Sequence, residues 1–244
     1  MSDSSQPTTT SKVLTANGLT MPVEFPAAAY EAVHQKMAPF STANNDVYAQ
    51  FAGAWNAVSY RYRALVEYDE SFGASISTYG AAPNALERYR QERDLFGFFS
   101  NGFSTFEAFF YATFAAGALL QPNSFPIVTA AEQQRITPNS TIAAFLRAFP
   151  NDGIISSLNA LTEDGAYMEW REIRNILTHR SAPGRTLHVT FGGGETLPDQ
   201  WKLSNIALNQ DTTASRRAHV ARLLAVAFGA LDRFAKAHFS NSTS

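Results

Sequence analysis

The chain has 244 residues, of which 45% are hydrophobic, and it contains no cysteine. This length suits one domain or at most two, and the lack of cysteine excludes disulfides, zinc–thiolate sites and thiol nucleophiles. The formal net charge is -2, whereas a protein that coats nucleic acid nonspecifically is usually strongly basic. Any contact with nucleic acid must therefore come from a local patch of positive charge.

The N-terminal segment is rich in Ser and Thr and has neither a basic start nor an apolar run. We therefore expect a disordered tail over residues 1–20, no signal peptide, and a single helical domain over residues 21–244. The most apolar stretch, FEAFFYATFAAGALL, contains Glu107 and is shorter than the roughly 20 residues of a membrane span. The sequence thus predicts a cytoplasmic protein with no membrane partner.

Apolar spacing along the chain predicts mostly helix. Asn17-Gly18 between alternating residues predicts a short hairpin, and a second hairpin is expected around the glycines at 192–194. The predicted helices begin at Pro26 and then cover residues 45–77, 85–120, 129–135, 141–149, 153–161, 164–179 and 212–239. The fold class is therefore all-α, a helical bundle with one or two small β-hairpin decorations.

The longest predicted helix carries phenylalanines that step by three or four residues, within an arc of roughly 80°. This spacing predicts a stripe that faces the core. The stripe consists of Phe96, Phe99, Phe103, Phe106, Phe110 and Phe114. Glu107 falls on its edge, where a carboxylate loses hydration and needs a hydrogen-bond donor. Glu107 then either reaches water or meets a cation on a neighbouring helix, and Arg171 and Arg174 are the candidates.

The helix predicted at residues 164–179 has two faces. Its core face contains Ala166, Trp170, Ile173 and Leu177. The other face spans an arc of roughly 140° and carries the polar side chains Arg171, Arg174, Asn175, Thr178 and His179. Side chains four positions apart are neighbours on a helix, so a guanidinium, an amide and an imidazole share one surface.

An arginine and a histidine on one surface suit phosphate chemistry. A guanidinium can bind two phosphate oxygens and stabilise the charge of a pentavalent transition state, and an imidazole can move protons near neutral pH. Together, Arg174 and His179 could cleave RNA without a metal, with the 2′-hydroxyl of the RNA as nucleophile.

The segment RNILTH, from Arg174 to His179, resembles the signature of the HEPN superfamily, in which a polar residue often follows the arginine, as Asn175 does here. The resemblance implies a helical bundle and a metal-independent endoribonuclease of toxin–antitoxin, defence or RNA-processing systems, with no cofactor. It also implies a homodimer in which two motifs share a cleft, with RNA and a protein antitoxin or regulator as partners.

The resemblance further implies a role for each residue. Arg174 would stabilise the transition state and His179 would transfer protons. Asn175 would position the RNA or the histidine, and Glu107 would orient Arg174. The side chains expected to contact RNA phosphates are Arg171, Thr178, Arg180 and Arg185.

A second segment, RFAKAH, repeats the spacing between arginine and histidine with Arg233 and His238. We reject it as the motif, because Phe234 is apolar where the family prefers a polar residue. The pairs Arg61/Arg63 and Arg88/Arg90 lie beside tyrosines and are either an extension of an RNA surface or a solvated face with internal ion pairs.

Two alternatives to a nuclease remain open from the sequence. Several HEPN branches lack nuclease activity, so the chain could be a non-catalytic binding or antitoxin-type module. It could also be a structural helical bundle in which Arg174 and Glu107 form a satisfied ion pair. Burial of both Arg174 and His179 against other helices would favour the structural reading, whereas exposure to a cleft would favour the other two.

Overall fold

The computed structural model describes residues 13–14, 18–42, 44–180, 182–186, 200–203 and 205–239. The described residues are mostly helical, with a small antiparallel sheet. The helices are α1 (Ala27–Met37), a short 3-10 helix (Ala38–Ser41), α2 (Asn45–Tyr79), α3 (Ala85–Leu120), α4 (Ala130–Gln133), α5 (Pro138–Ala148), α6 (Ile154–Glu163), α7 (Gly165–His179) and α8 (Gln210–Phe239). The predicted all-α class with β decoration is therefore confirmed, and every predicted helix is present.

The β strands form two small sheets. β1 (Val13–Leu14) pairs with β2 (Thr20–Met21), and β4 (Gln200–Leu203) pairs with both β3 (Gly184–Thr186) and β5 (Ile206–Ala207), all antiparallel. Strand pairing thus begins at residue 13, within the segment 1–20 that the sequence predicts as a disordered tail. Residues 1–12 and 15–17 of that segment, and the glycines at 192–194, lie outside the described residues.

Helices α2 and α3 form a long antiparallel pair. The chain reverses at Gly80, whose φ of 68° favours glycine because it has no Cβ. The side chain of Asn84 then caps α3 by accepting a hydrogen bond from the Glu87 N–H. Farther along the pair, the Tyr111 hydroxyl donates to Gln50 at 2.7 Å. These contacts fix the register of the two helices.

One aromatic core joins the helices. Tyr30 of α1 stacks on Trp55 of α2 with ring centroids 4.8 Å apart, and Phe228 of α8 packs on the same Trp55 at 5.0 Å. α7 also packs against α3, where Trp170 contacts Phe98 with ring centroids 5.1 Å apart. Helices α1, α7 and α8 therefore all pack on the two long helices, and α7 also pairs with α8 through Glu169 and Arg216.

The phenylalanine stripe of α3 is buried except at Phe96, which is 44% exposed. Phe96 and Phe114 have nearly the same angle on the helix, about 20° from that of Glu107. Phe114 is covered because Phe125 packs on it at 5.1 Å, and Phe96 is left in solvent. The prediction that Phe96 faces the core is therefore wrong.

By length and composition, α3 could also cross a membrane, yet 78% of its most apolar window is buried inside this fold. The core helix of a soluble protein passes the same test, so this finding carries little weight. The expected lack of a membrane partner stays a prediction.

Candidate phosphate-binding groove

Helix α7 is held against α3 by three buried side chains, Tyr167, Trp170 and Ile173. The helix begins where the Asp164 carboxylate accepts a hydrogen bond from the Ala166 N–H at 2.8 Å. Gly102 leaves room for the indole, since a Cβ at that position would clash with the Trp170 ring. This packing fixes the position of the polar face of α7.

Arg174 and Glu107 form one of the contacts that the edge position of Glu107 allows. Nη2 of Arg174 lies 2.6 Å from Oε1 of Glu107, and the Ser104 hydroxyl donates to the other carboxylate oxygen at 3.1 Å. The guanidinium also lies over the Phe103 ring, 4.6 Å from its centroid. The Arg174 and Glu107 side chains are 23% and 43% exposed. The pair is therefore fixed in place but still in contact with solvent.

Two further arginines border this pair. Arg61 of α2 donates from Nη1 to the Ser104 carbonyl oxygen at 2.8 Å, which brings it to the opposite side of the α3 surface from α7. Arg171 is exposed, and no ion pair involves it within the part of the chain that the structure describes. We use the name arginine groove for the surface formed by Arg61, Ser104, Glu107, Arg171 and Arg174.

Two cavities open along the arginine groove. The first, of about 310 Å³, is bordered by Arg171, Arg174 and Tyr167. The second, of about 330 Å³, is bordered by Arg61 and apolar side chains of α2 and α3. Glu107, Thr137 and Pro138 contact both cavities, so the two are adjacent. Each volume lies at the lower end of the range of small-molecule sites.

Tyr167 lies beneath the first cavity. Burial raises the pKa of its hydroxyl to about 12, and the charges of Arg171 and Arg174 act in the opposite direction, against that of Glu107. The hydroxyl therefore stays protonated and can act as a hydrogen-bond donor at the base of the cavity.

His179 lies away from this cluster. It is exposed at the end of α7, about 7.5 Å along the helix axis and about 140° around it from Arg174. The Arg174 side chain extends toward Glu107, which lies beside the N-terminal part of α7. The Arg174 guanidinium and the His179 imidazole therefore point in different directions. Asn175 is half-buried and Thr178 is exposed, and neither borders the two cavities.

Arg180 and Arg185, both predicted to contact RNA phosphates, lie outside the arginine groove. Arg180 pairs with Glu172 at 2.8 Å on the exposed surface of α7. The Arg185 guanidinium lies 3.5 Å above the Trp201 ring and donates to Gln91 at 2.9 Å, with its side chain only 7% exposed. Burial lowers the pKa of Arg185. Its predicted contact with RNA phosphate is therefore wrong: the side chain attaches β3 to α3, about 24 Å along that helix from Glu107.

The second arginine–histidine pair is also in a structural setting. His238 Nε2 lies 2.8 Å from Asp152 Oδ2, and its ring packs against Phe149 and Phe234 at 5.0 and 4.6 Å. The rejection of RFAKAH as a functional motif agrees with this environment.

The sequence does not single out Tyr167 or Thr137, and it does not decide the role of Arg61. Arg61 belongs to the groove, whereas Arg63 pairs with Glu67 at 2.9 Å on the helix surface. The available signal was the series Ala54, Ala57 and Arg61, which places two small residues and one cation at helical spacing. Small residues on one face leave space beside a neighbouring helix.

Comparisons with protein-family models, with curated proteins and with solved structures found no match. The HEPN resemblance therefore depends on the motif from Arg174 to His179 and on its setting at the end of a packed helix. Within the described ranges, no group of three or more His, Asp or Glu side chains is placed to hold a metal ion.

Proposed function

We propose that this protein binds single-stranded RNA through the arginine groove and cleaves it as a metal-independent endoribonuclease of the HEPN type. The observation that carries the proposal is the Arg174–Glu107 pair, which fixes a guanidinium at the border of a cavity that is open to solvent. Arg171 borders the same cavity without an ion pair among the described residues. A fixed and a free guanidinium at one opening fit a phosphodiester.

Arg174 uses one N–H for Glu107, and a guanidinium has five. Its Nε is buried without a partner, so the Nη donors that do not face Glu107, together with the donors of Arg171, are available to the non-bridging phosphate oxygens. Glu107 sets the orientation of Arg174 before RNA binds, so that less side-chain entropy is lost on binding. The contact of Arg174 with Phe103 restricts it further.

In the proposed reaction, the RNA supplies its own nucleophile. His179 accepts the proton of the 2′-hydroxyl as the 2′-oxygen bonds to the adjacent phosphorus. The bond from phosphorus to the 5′-oxygen breaks, and a second imidazole protonates that oxygen. The products are a 2′,3′-cyclic phosphate and a 5′-hydroxyl, and exchange with water restores both imidazoles.

The position of His179 favours a homodimer for this chemistry. Within one chain, Arg174 reaches toward Glu107 and His179 lies about 7.5 Å farther along the axis. Two copies that bring their α7 C-terminal ends together would supply two imidazoles, one as base and one as acid. His179 is exposed, so a second copy can approach it.

A binding module without nuclease activity is the second candidate. No hydrogen bond orients the His179 imidazole among the described residues, whereas a catalytic histidine usually has an orienting partner. In that case, Arg171 and Arg174 hold RNA through its phosphates and no bond is broken. The purely structural alternative is less favoured, because Arg171 and His179 are both exposed.

Incubation of wild-type protein and His179→Ala with total RNA in EDTA tests the proposal. We expect the wild type to give fragments that end in 2′,3′-cyclic phosphate. The cleavage rate of the variant should be lower by about 10²–10⁴-fold. His219→Ala, which replaces another exposed histidine, is the matched control and should cleave like the wild type. RNA that stays intact with wild-type protein, but is bound and released at high salt, would favour the binding module.

A further inference from the structure

The second cavity of the arginine groove has no role in the proposed chemistry. It lies between α2, α3 and α5, and its walls are mostly small or apolar. Those walls include Ala54, Ala57, Ala108, Ile136 and Pro138.

Polar groups of three side chains also line this cavity, and two of them, Glu107 and Thr137, lie at its border with the first one. Arg61 offers the N–H groups that Ser104 does not use, and Glu107 offers carboxylate oxygens. Thr137 forms part of the same border. The cavity thus combines apolar walls, which include the rings of Phe110 and Tyr111, with hydrogen-bonding groups of Arg61, Glu107 and Thr137.

This combination matches the chemistry of a nucleobase. A base has flat apolar faces, and its edge carries both donors and acceptors. A second phosphate would meet one arginine there, Arg61, whereas the adjacent cavity has both Arg171 and Arg174 to neutralise its charge. The adjacent cavity with Arg171 and Arg174 is the place for the phosphate.

We infer that the second cavity is a base-binding subsite, which takes one unstacked nucleobase next to the phosphate held by Arg171 and Arg174. The inference rests on the proposed RNA-binding function and assigns a role in it to α2 and α5. Glu107 then has two functions, since it orients Arg174 on one side and faces the base on the other. Single-stranded RNA is the substrate class, because bases in a duplex are stacked.

Filling the cavity tests the subsite without changing charge. Ala57→Leu adds three carbons to the wall of the second cavity, and Ala52→Leu adds them to a half-buried position of α2 outside it. Alanine and leucine have similar helix propensities. Arg61→Met is a second variant that removes the donor at the border, in case Ala57→Leu fails to fold.

The probes are two strands of equal length and charge. One is a 2′-O-methylated tetranucleotide that cannot be cleaved, and the other is the same sugar–phosphate backbone without bases. We expect wild type and Ala52→Leu to bind the base-bearing strand about tenfold more tightly than the abasic strand. Ala57→Leu should bind both strands with the lower affinity, and Arg61→Met should lose most of the difference.

The outcomes separate the subsite from the proposed function. If Ala57→Leu and Arg61→Met keep the full preference for bases, the subsite is wrong and the proposed function stands. If wild-type protein binds neither strand, both are wrong. If the preference depends on Ala57 but the unmethylated strand is never cleaved, the subsite stands and the nuclease activity does not.

Discussion

Helices α7 and α8 each end with an arginine followed five positions later by a histidine, yet the two pairs have opposite environments. In α7 the arginine is engaged, with Nη2 of Arg174 2.6 Å from Glu107, and His179 is exposed. In α8 the histidine is engaged, with His238 2.8 Å from Asp152, and Arg233 is exposed. Identical spacing therefore gives one groove and one structural contact.

The residue after the arginine explains part of this difference. Phe234 is 1% exposed, so it anchors the end of α8 in the core and brings His238 against Asp152. Asn175 occupies the equivalent place in α7 and is only half-buried. The end of α7 therefore stays at the surface, where His179 meets solvent. The residue after the arginine thus contributes to whether the histidine has a structural partner.

The largest expected effect on stability comes from Trp170, the side chain that holds α7 against α3. Trp170→Ala removes an indole that is 1% exposed and packs on Phe98 and Phe99. We expect the free energy of unfolding to fall by about 3–5 kcal/mol, with RNA binding lost as α7 moves from α3. Chemical denaturation measures this change. Met168→Ala, on the exposed side of the same helix, should change stability by less than about 0.5 kcal/mol.

The two histidines should separate stability from activity. His238→Ala removes the contact with Asp152 and the packing on Phe234, so we expect a loss of about 1–3 kcal/mol in the free energy of unfolding. His179→Ala should leave that free energy within about 0.5 kcal/mol of the wild type. Urea denaturation of both variants checks this, and equal losses would show that His179 has a structural partner too.

Helix bounds were predictable because they follow from periodicity and caps. The prediction of residues 85–120 for α3 matches the structure, with Asn84 at its start. The contact between Glu107 and Arg174 was predictable for a similar reason, since a carboxylate on the edge of an apolar stripe needs a donor. The helix bounds depend on residues that are close in sequence, and the Glu107–Arg174 contact depends on one pair of neighbouring helices.

Other features depend on distant parts of the chain and were not predictable. Arg185 looked available for RNA, but Trp201 and Gln91 enclose it. Phe96 and Phe114 share an angle on α3, and only Phe114 meets Phe125. Spacing within one segment gives the direction of a side chain, whereas burial depends on which segment covers it.

A smaller effect is expected at Asp164, whose side chain caps α7 and pairs with Arg222 of α8 at 3.1 Å. Asp164 and Asp152 thus each join the segment before a helix to α8, Asp164 through Arg222 and Asp152 through His238. Asp164→Ala should lower the free energy of unfolding at neutral pH by about 1 kcal/mol. Asp164→Asn is the control, because its side-chain oxygen can still cap the helix.

The effect of Asp164 should depend on pH. Burial raises the pKa of its carboxyl, but the hydrogen bond from Ala166 and the contact with Arg222 together place it below the ordinary 3.8. A lowered pKa means that the ionised form stabilises the fold above 3.8 and that this contribution is lost as the pH falls through the folded-state value. The difference in stability between wild type and Asp164→Ala should therefore be constant near neutrality and shrink in acid.

The smallest effect on stability is expected for the Arg174–Glu107 pair. A double-mutant cycle on this pair separates a structural ion pair from a functional one. Both side chains contact solvent, so a double-mutant cycle with Arg174→Ala and Glu107→Ala should give a coupling of about 0.2–1 kcal/mol in unfolding. If Glu107 serves to orient Arg174, the same cycle measured on RNA cleavage or affinity should give a larger coupling, because a misplaced guanidinium loses its contacts with phosphate. Equal couplings in the two cycles would mean that the pair only joins α7 to α3, and that Arg171 binds the phosphate without Arg174.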